Sequence, residues 1–303
     1  MRILVTGGAG FIGSHIVEHF QERAEVRVLD SLRSGFRHNL AGFEHEFIEA
    51  SILNREAVRG AMQGVDYVFH LAAMISVPES MAKPIECDEL NTKGTLIVLE
   101  EAARAGVKKL VLSSSAAIYG DNPAVPKVET MLPEPKSPYA ITKLDGEFYC
   151  GMFTAEHRLQ TACLRYFNVF GPRQDPASQY AAAVPIFIRR ALDGKPITIH
   201  GDGEQTRDFI FVKDIAAANA WMATESAATG VFNVACGGKI SINNLASTIC
   251  QLTGSRSEIQ HAPERAGDVK HSLASVDKLR AAGFTPRWNF AEGLKATVEH
   301  FRN

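Results

Sequence analysis

The sequence lacks the features that mark secreted, membrane-spanning and metal-binding proteins. Its five cysteines are scattered over 303 residues without a CxxC pair, and no Cys/His spacing typical of zinc occurs. Apolar stretches such as residues 181–188 fall far short of the roughly 18 residues of a membrane span. The apolar N-terminus runs at once into glycines, unlike a signal peptide. We therefore expect reduced thiols, no metal, no membrane partner and a cytoplasmic location.

An excess of charge of either sign is also missing. Lys and Arg total 32 and Asp and Glu total 34, which leaves a formal net charge of −2. Nucleic-acid-binding domains carry a basic excess, so no nucleic-acid partner is expected. Hydrophobic residues make up 46% and charged residues 22%, which is ordinary for a folded chain and argues against disorder.

The first half of the chain alternates short aliphatic runs with longer stretches of helical spacing. Strands are predicted at 2–6, 25–29, 65–71, 109–113 and 161–166, and helices at 13–21, 55–62, 91–105 and 139–156. This alternation indicates an α/β fold with a Rossmann-like, doubly wound parallel sheet. The second half is less regular, and residues 231–234 are predicted as a strand that returns to the sheet.

These patterns predict two lobes. A dinucleotide-binding domain is expected over residues 1–167, with a returning segment near 209–238. A smaller C-terminal α/β lobe, over residues 168–303, is expected to bind the substrate, with a cleft between the lobes. A single large α/β domain would also fit the length.

A glycine-rich turn joins the first predicted strand to the first predicted helix. Gly8, Gly10 and Gly13 form G-x-G-x-x-G, and Gly7, Gly10 and Gly13 form G-x-x-G-x-x-G. Such glycines permit a tight turn, the approach of a pyrophosphate and the packing of the helix on the strand. The N–H groups at the helix start attract phosphate. A glycine-rich turn without a ligand is the alternative.

Asp30 ends the second predicted strand, where a carboxylate accepts hydrogen bonds from the adenine ribose. The same charge would repel the 2′-phosphate of NADP, so the predicted cofactor is NAD. Arg33 and Arg37 follow closely and could weaken that preference.

Tyr139 and Lys143 form Y-x-x-x-K, and this spacing puts both side chains on one face of a helix. Tyrosine has a pKa of about 10. A lysine ammonium and a positively charged nicotinamide would both lower that pKa and make Tyr139 a general base. Upstream, the serines at 113–115 end a strand at the carboxyl edge of the sheet, where open α/β folds bind ligands. A solvated lysine beside a core tyrosine, and serines that merely end a strand, are the alternatives.

Together these motifs resemble the extended short-chain dehydrogenase/reductase family, specifically its nucleotide-sugar epimerase branch. The matching segments are 6–13, 70–73, 91, 113–121, 137–143, 164–172, 201–203, 207–208 and 265–268. They match in order as well as in content, from residue 6 to residue 268.

The resemblance implies NAD-dependent epimerisation at C4 of a nucleotide sugar. Tyr139 would remove the C4 hydroxyl proton while the hydrogen on carbon passes to NAD. The 4-keto sugar would then turn and take the hydride back on its other face. Lys143 would lower the tyrosine pKa and hold the nicotinamide ribose, and Ser115 would bind the C4 oxygen. The implied cofactor contacts are Gly7, Gly10, Phe11, Ile12, Gly13, Asp30, Ser31, Ser34, Ile52, Leu71, Ala72, Ala73, Asn91, Ser113, Tyr139, Lys143 and Tyr166.

The downstream motifs resemble the family's grip on a UDP-hexose. Asn168 corresponds to a residue on the sugar diphosphate, Arg207 and Arg265 to arginines on the same group, and Asp268 to the acid that holds the uridine ribose. An Arg207–Asp208 ion pair and a turn at Asp268 are the alternatives. The implied substrate contacts are Ser76, Ser115, Asn168, Val184, Ile199, Arg207, Arg265, Asp268 and Ser272.

Ala116 and Ala117 favour epimerisation over related reactions. Dehydratases of this family place an Asp–Glu pair there, and decarboxylases commonly keep an acid, whereas alanines cannot exchange protons. A 4-ketosugar reductase and a non-catalytic NAD-binding regulator remain as alternatives.

Ser272 falls in the family's gatekeeper region, where a tyrosine restricts an epimerase to UDP-glucose and UDP-galactose. A serine leaves room for N-acetyl sugars, which we therefore expect to be accepted. Two residues depart from the family pattern: the first counts against the acceptance of N-acetyl sugars, and the second concerns adenine binding. Ile75 replaces a glycine found in some specialists for acetylated sugars, and Ser51 replaces an acid before the adenine-contacting Ile52.

The resemblance also implies a homodimer, paired through helices 91–105 and 139–156. Apolar stripes fit this prediction, although packing on the sheet would explain them equally well. The stripe residues are Leu96, Leu99, Ala103, Phe148 and Met152.

Overall fold

A computed structural model describes residues 1–176, 182–264 and 270–302. In these ranges the helices are α1 (Phe11–His19), α2 (Arg55–Ala61), α3 (Val77–Ala82), α4 (Pro84–Asp88), α5 (Gly94–Arg104), α6 (Pro138–Ala155), α7 (Ala183–Leu192), α8 (Val212–Thr224), α9 (Ile242–Thr253), α10 (Asp277–Ala281) and α11 (Phe290–Arg302). The strands are β1 (Arg2–Thr6), β2 (Glu25–Asp30), β3 (Glu46–Glu49), β4 (Tyr67–His70), β5 (Lys109–Ser115), β6 (Gln160–Tyr166), β7 (Asn168–Phe170), β8 (Ile197–His200), β9 (Thr206–Arg207), β10 (Phe209–Phe211), β11 (Gly230–Val234), β12 (Ile240–Ser241) and β13 (Ile259–Ala262). Among the described helices, none is long and apolar enough to cross a membrane.

The central sheet has seven strands in the order β11-β6-β5-β4-β1-β2-β3, and every pair is parallel. From β1 the chain first builds outward through β2 and β3, and then returns to build the other side from β4. Such a reversal opens a crevice at the carboxyl ends of the strands on either side of it. The predicted Rossmann-like α/β fold is confirmed.

Two apolar clusters cover the two faces of this sheet. Successive side chains of a strand point to opposite faces, so Ile3 and Val5 join one cluster and Leu4 joins the other. Helices α1 and α8 lie on the first face, while α2, α5 and α6 lie on the second. Burial on both faces explains why these strands are continuous apolar runs that could be predicted from the sequence.

The second half is more regular than predicted. Three two-stranded ladders, β10-β7, β12-β9 and β13-β8, pack with α7, α9 and α11 around a third apolar cluster. These strands have two to four residues, too few to show a period in the sequence. The prediction for residues 231–234 is confirmed, because β11 pairs in parallel with β6.

Two elements of the first half also differ from the prediction. A π-type turn over Glu89–Lys93 precedes α5, where the sequence predicted one uninterrupted helix over 91–105. Strand β3 was not predicted, because its residues Glu46–Glu49 are exposed or half-buried and lack an apolar run.

Candidate active site

The first pocket opens at the crevice between β1 and β4. Predicted cofactor residues that line it are Gly7, Gly10, Phe11, Ile12, Gly13, Asp30, Ser31, Ser34, Ile52, Leu71, Ala72, Ala73 and Ser113. A Cβ on Gly13 would lie 2.2 Å from the carbonyl oxygen of Gly7. Gly7 has φ +72°, and its Cβ would lie 2.7 Å from the backbone nitrogen of Ala72. The turn therefore requires glycine at both positions and leaves a cradle of the kind that holds a pyrophosphate.

Asp30 is held at the end of β2 by two backbone N–H groups. Ala9 N donates to Oδ2 at 2.9 Å and Leu32 N donates to Oδ1 at 2.8 Å. Burial raises the pKa of Asp30, and these two hydrogen bonds oppose that shift. Each carboxylate oxygen can accept a second hydrogen bond, so both can bind a ribose hydroxyl.

The two arginines near Asp30 are paired with carboxylates. Arg33 donates to Glu79 at 2.8 Å and to Glu86 at 2.5 Å, and Arg37 donates to Glu49 at 2.7 Å. These contacts engage the cations that could have weakened the preference for NAD.

Some predicted residues do not line the first pocket, among them Asn91, Tyr166 and Ser76. Asn91 is 3% exposed, and its amide bonds both backbone groups of Met74 at 2.7 and 3.0 Å, so it supports the pocket wall from behind. Tyr166 lines the second pocket, where its hydroxyl bonds Asn219. Ser76, a predicted substrate contact, accepts a hydrogen bond from Glu79 N as the N-cap of α3.

The second pocket begins where the first ends, at the carboxyl end of β5. Ser113 lines the first pocket and Ser115, two residues further on, lines the second. The other residues of the second pocket are Ala116, Ala117, Tyr119, Gly120, Lys127, Tyr166, Phe167, Asn168, Arg207, His271 and Ser272. The shared strand end makes the two pockets neighbours.

A third pocket continues the cleft, because it shares Asn168 and Arg207 with the second. Val184 and Ile199 line it, as do the apolar side chains of Phe187 and Phe209. Four of the predicted substrate contacts thus lie at this pocket. Arg265 and Asp268 lie outside the described residues.

Helix α6 places Lys143 against Ser113 of the first pocket and Tyr139 against Ser115 of the second, although neither side chain lines either pocket. It begins after Ser137, whose hydroxyl accepts a hydrogen bond from Ala140 N, and Pro138 occupies its first turn. Lys143 Nζ donates to the carbonyl oxygen of Ser113 at 2.8 Å and lies 5.8 Å from the centre of the Tyr139 ring.

The protonation of this pair is set mainly by burial. Burial raises the pKa of Tyr139, and a hydrogen bond with Ser115 opposes the shift. Burial also lowers the pKa of Lys143 to about 8. The lysine ammonium is held at a carbonyl oxygen, so the chain alone does not lower the tyrosine pKa as expected from the sequence. Lowering the pKa of Tyr139 would therefore require the second charge expected from the sequence, a positively charged nicotinamide ring at the junction.

Asp208 organises the second pocket in a way that the sequence analysis missed. It is fully buried, and its carboxylate accepts backbone N–H groups from Cys236 at 3.0 Å, Gly237 at 3.1 Å and Ala274 at 3.2 Å. Its own carbonyl accepts the backbone N–H and the side-chain amide of Asn168, both at 3.2 Å. The Gly-Gly pair after the predicted strand at 231–234 was the available signal for this carboxylate receptor.

The segment that carries Ser272 is fixed from both sides. Ser272 N donates to the carbonyl oxygen of Thr206 at 3.0 Å, and Lys127 N donates to that of Leu273 at 2.8 Å. Together with the contact of Asp208 to Ala274, these bonds set how far Ser272 reaches into the second pocket.

Known proteins are similar to this chain in sequence. Residues 3–235 match the model of the NAD dependent epimerase/dehydratase family. UDP-glucose 4-epimerase of Mycolicibacterium smegmatis is 38% identical over 312 residues, which cover 100% of this chain and 99% of that protein.

Solved structures are similar to this chain in both sequence and fold. UDP-N-acetylglucosamine 4-epimerase from Methanobrevibacter ruminantium M1, in complex with UDP-N-acetylmuramic acid, is 42% identical, with a TM-score of 0.96 over 99% of this chain and 98% of that one. The complex of Thermus thermophilus UDP-glucose 4-epimerase with NAD is 40% identical, with a TM-score of 0.91 over 100% and 99% of the two chains. The chain therefore belongs to the NAD dependent epimerase/dehydratase family.

Proposed function

We propose that this protein is an NAD-dependent UDP-sugar 4-epimerase. The observation that carries the proposal is the junction of the first and second pockets. Ser113, Ser115, Tyr139 and Lys143 meet there, where a dinucleotide and a sugar would face each other. This is the arrangement that reversible oxidation of a bound sugar needs.

The first pocket would hold NAD. The glycine turn leaves room for the pyrophosphate, and Asp30 offers acceptors to the adenine ribose. Bound NAD would supply the hydride acceptor for oxidation and the hydride donor for the return step. We assign this role to residues 1–167 with the returning segment near 209–238, and the substrate to residues 168–303.

The chain's own groups would move the proton. Ser115, hydrogen-bonded to Tyr139, would bind the C4 oxygen and link it to the phenol. Lys143, fixed on the Ser113 carbonyl, would hold the nicotinamide ribose, and Tyr139 would lose its proton more readily with the positively charged nicotinamide beside it. Ala116 and Ala117 line the second pocket without an ionisable group, which disfavours dehydration and decarboxylation.

The second and third pockets would bind the UDP-hexose. Arg207, between the two pockets, suits the diphosphate, and the apolar part of the third pocket at Val184 and Ile199 suits the uracil. Arg265 and Asp268 keep their proposed roles at the diphosphate and the uridine ribose. No carboxylate lines the described part of the second pocket, which favours an anionic ligand.

Ser272 would determine how large a sugar the second pocket accepts. Its small side chain leaves room for a 2-acetamido group in the second pocket. Ile75 lines the first pocket and is 63% exposed, so its bulk stands at the cofactor side of the cleft. Glucose and N-acetylglucosamine derivatives are the substrates we propose.

The first experiment uses the purified protein without added cofactor. It is incubated with UDP-glucose and, separately, with UDP-N-acetylglucosamine, and the anomeric protons are followed by NMR. Appearance of the galacto epimers supports the proposal. No conversion with either sugar, even after addition of NAD, contradicts it and points to a reductase or another nucleotide sugar.

A gate variant tests the sugar range separately. Ser272→Tyr should abolish turnover of UDP-N-acetylglucosamine and spare UDP-glucose, because only the acetamido group needs the space. Equal loss of both activities would contradict the role of Ser272. Ser275→Tyr, three residues further along the same segment and outside the three pockets, serves as the control.

We also propose a cytoplasmic homodimer. On α6, Ile141, Phe148 and Met152 are 47%, 65% and 41% exposed, which leaves an apolar face for a partner helix. On α5, by contrast, Leu99 is fully buried, so packing on the sheet accounts for that part of the stripe. Light scattering of the wild type and of Phe148→Glu would detect a dimer and its loss.

The five free cysteines support the proposed cytoplasmic location, because thiols stay reduced in that compartment.

A further inference from the structure

An ion-pair cluster joins the two walls of the first pocket. One wall is the loop after β2, where Arg33 and Ser34 line the pocket. The other wall includes Ile75 before α3 and Leu90 after α4. Arg33 Nη2 lies 2.8 Å from Glu79 of α3, and Nη1 lies 2.5 Å from Glu86 of α4. The guanidinium therefore connects segments 46 and 53 residues away.

The cluster is closed and balanced. Lys83 Nζ lies 3.8 Å from Glu79 and 3.6 Å from Glu86, so two cations face two anions. The hydrogen bond from Arg33 lowers the pKa of Glu86, which keeps this carboxylate ionised at neutral pH. The side chains of Arg33, Glu79 and Glu86 are 34%, 32% and 42% exposed, so the cluster is open to screening by salt.

We propose that Arg33 is a latch that retains the dinucleotide in the first pocket. By binding both walls, its guanidinium holds α3 and α4 against the loop after β2 and slows the opening through which NAD leaves. The inference rests on the proposed function. An epimerase that lost its reduced cofactor while the sugar was in the keto form could not complete the cycle, so slow release is useful to it.

Arg37 offers a matched control on the same loop. It donates to Glu49 at 2.7 Å and lies 4.2 Å from the centre of the Phe47 ring. Both partners belong to β3 and lie on the same side of the pocket as Arg37. Arg37 itself does not line the pocket. Its removal deletes one charge and one ion pair, compared with two ion pairs for Arg33, without separating the two walls.

The test measures release of NAD from the full-length protein. Protein loaded with radiolabelled NAD is chased with excess unlabelled NAD, and the retained label is followed by rapid filtration. Arg33→Met should release NAD roughly five- to tenfold faster, the range that two partly exposed ion pairs supply. Arg37→Met should release it at the wild-type rate, and the Glu79→Gln/Glu86→Gln double variant should reproduce the effect of Arg33→Met.

Salt provides a readout that needs no substitution. Raising NaCl from low to near-molar concentration should accelerate release from the wild type, because exposed ion pairs are screened, and should barely affect Arg33→Met. Equal release rates for the wild type and Arg33→Met, or equal acceleration in Arg37→Met, would overturn the latch. Normal NAD binding without epimerisation would overturn the proposed function while leaving these rates to decide on the latch. Failure to bind NAD at all would overturn both.

Discussion

The first and second pockets are built in different ways. The first is made from strand ends and turns within residues 7–113, and its key carboxylate, Asp30, is held by residues 2 and 21 positions away. The second is gathered from distant segments, and its key carboxylate, Asp208, reaches 28 residues to Cys236 and 66 residues to Ala274. The carboxylate of the first pocket is therefore fixed by nearby backbone N–H groups, whereas that of the second pocket is fixed by long-range hydrogen bonds.

Tyr139→Phe should give the largest effect while leaving both pockets intact. The variant removes only the phenol oxygen, so epimerisation should fall on the order of a thousandfold, as for loss of a general base. Bound NAD and affinity for UDP should be unchanged. Rates by NMR and NAD content by absorbance check this prediction, with Tyr149→Phe on the same helix as the control. Activity within tenfold of the wild type would remove Tyr139 from the mechanism.

Gly13→Ala should break the first pocket alone. Its Cβ would lie 2.2 Å from the carbonyl oxygen of Gly7 and 2.8 Å from Cα of Gly8, so the turn must shift. We expect roughly a hundredfold loss of NAD affinity, the effect of about 3 kcal/mol of overpacking, with UDP affinity retained. Calorimetric titration with each ligand separates the two. Gly60→Ala, where the new Cβ meets nothing within 4 Å, is the control.

Asp208→Ala should break the second pocket alone. It leaves the N–H groups of residues 236–238 and 274 without their acceptor, and the buried N–H of Ala274 alone would cost about 1–3 kcal/mol if it stayed unpaired. UDP affinity should fall roughly tenfold or more, and NAD should stay bound. Titration with UDP checks this, with the exposed Asp202→Ala as the control. An unchanged UDP affinity would show that the segment around Ser272 holds its position without this carboxylate.

His70, which lies near the first pocket, should make the stability of the fold sensitive to acid. This effect should be smaller than those of the three substitutions above. Its ring lies between Thr6 Oγ1 at 2.7 Å and Thr95 Oγ1 at 3.0 Å, and burial lowers its pKa to about 3. Protonation thus favours the unfolded chain, so stability present above about pH 6.5 is lost as pH falls toward 3. At pH 5 the expected loss in the free energy of unfolding is about 2 kcal/mol.

Urea unfolding at pH 7.5 and pH 5.0 measures this loss. The difference between the two pH values should shrink in His70→Asn and persist in the control His38→Asn, whose ring is exposed. An unchanged difference in His70→Asn would assign the acid sensitivity to other groups.

The same contrast explains what the sequence could predict. The glycine turn, Asp30 and the serines at the end of β5 lie at strand ends that apolar runs mark clearly, and the structure gathers them at one cleft. Asp208 and Arg33 bind residues 66 and 53 positions away, and no local sequence pattern predicts such long-range pairs. Asn91 differs from both groups. Its place in a family motif predicted a cofactor contact, whereas its amide bonds the backbone of Met74 within the pocket wall.

The strand order also bears on how the protein is made. β11, the outer neighbour of β6, consists of Gly230–Val234, whereas β6 ends at Tyr166. At 5–20 residues per second a ribosome needs on the order of ten seconds to add that last strand. Until then β6 is an open edge that invites pairing with another chain. Residues 1–167 are therefore a poor unit for truncation or for domain exchange, and a recombinant fragment should extend at least to the end of β11.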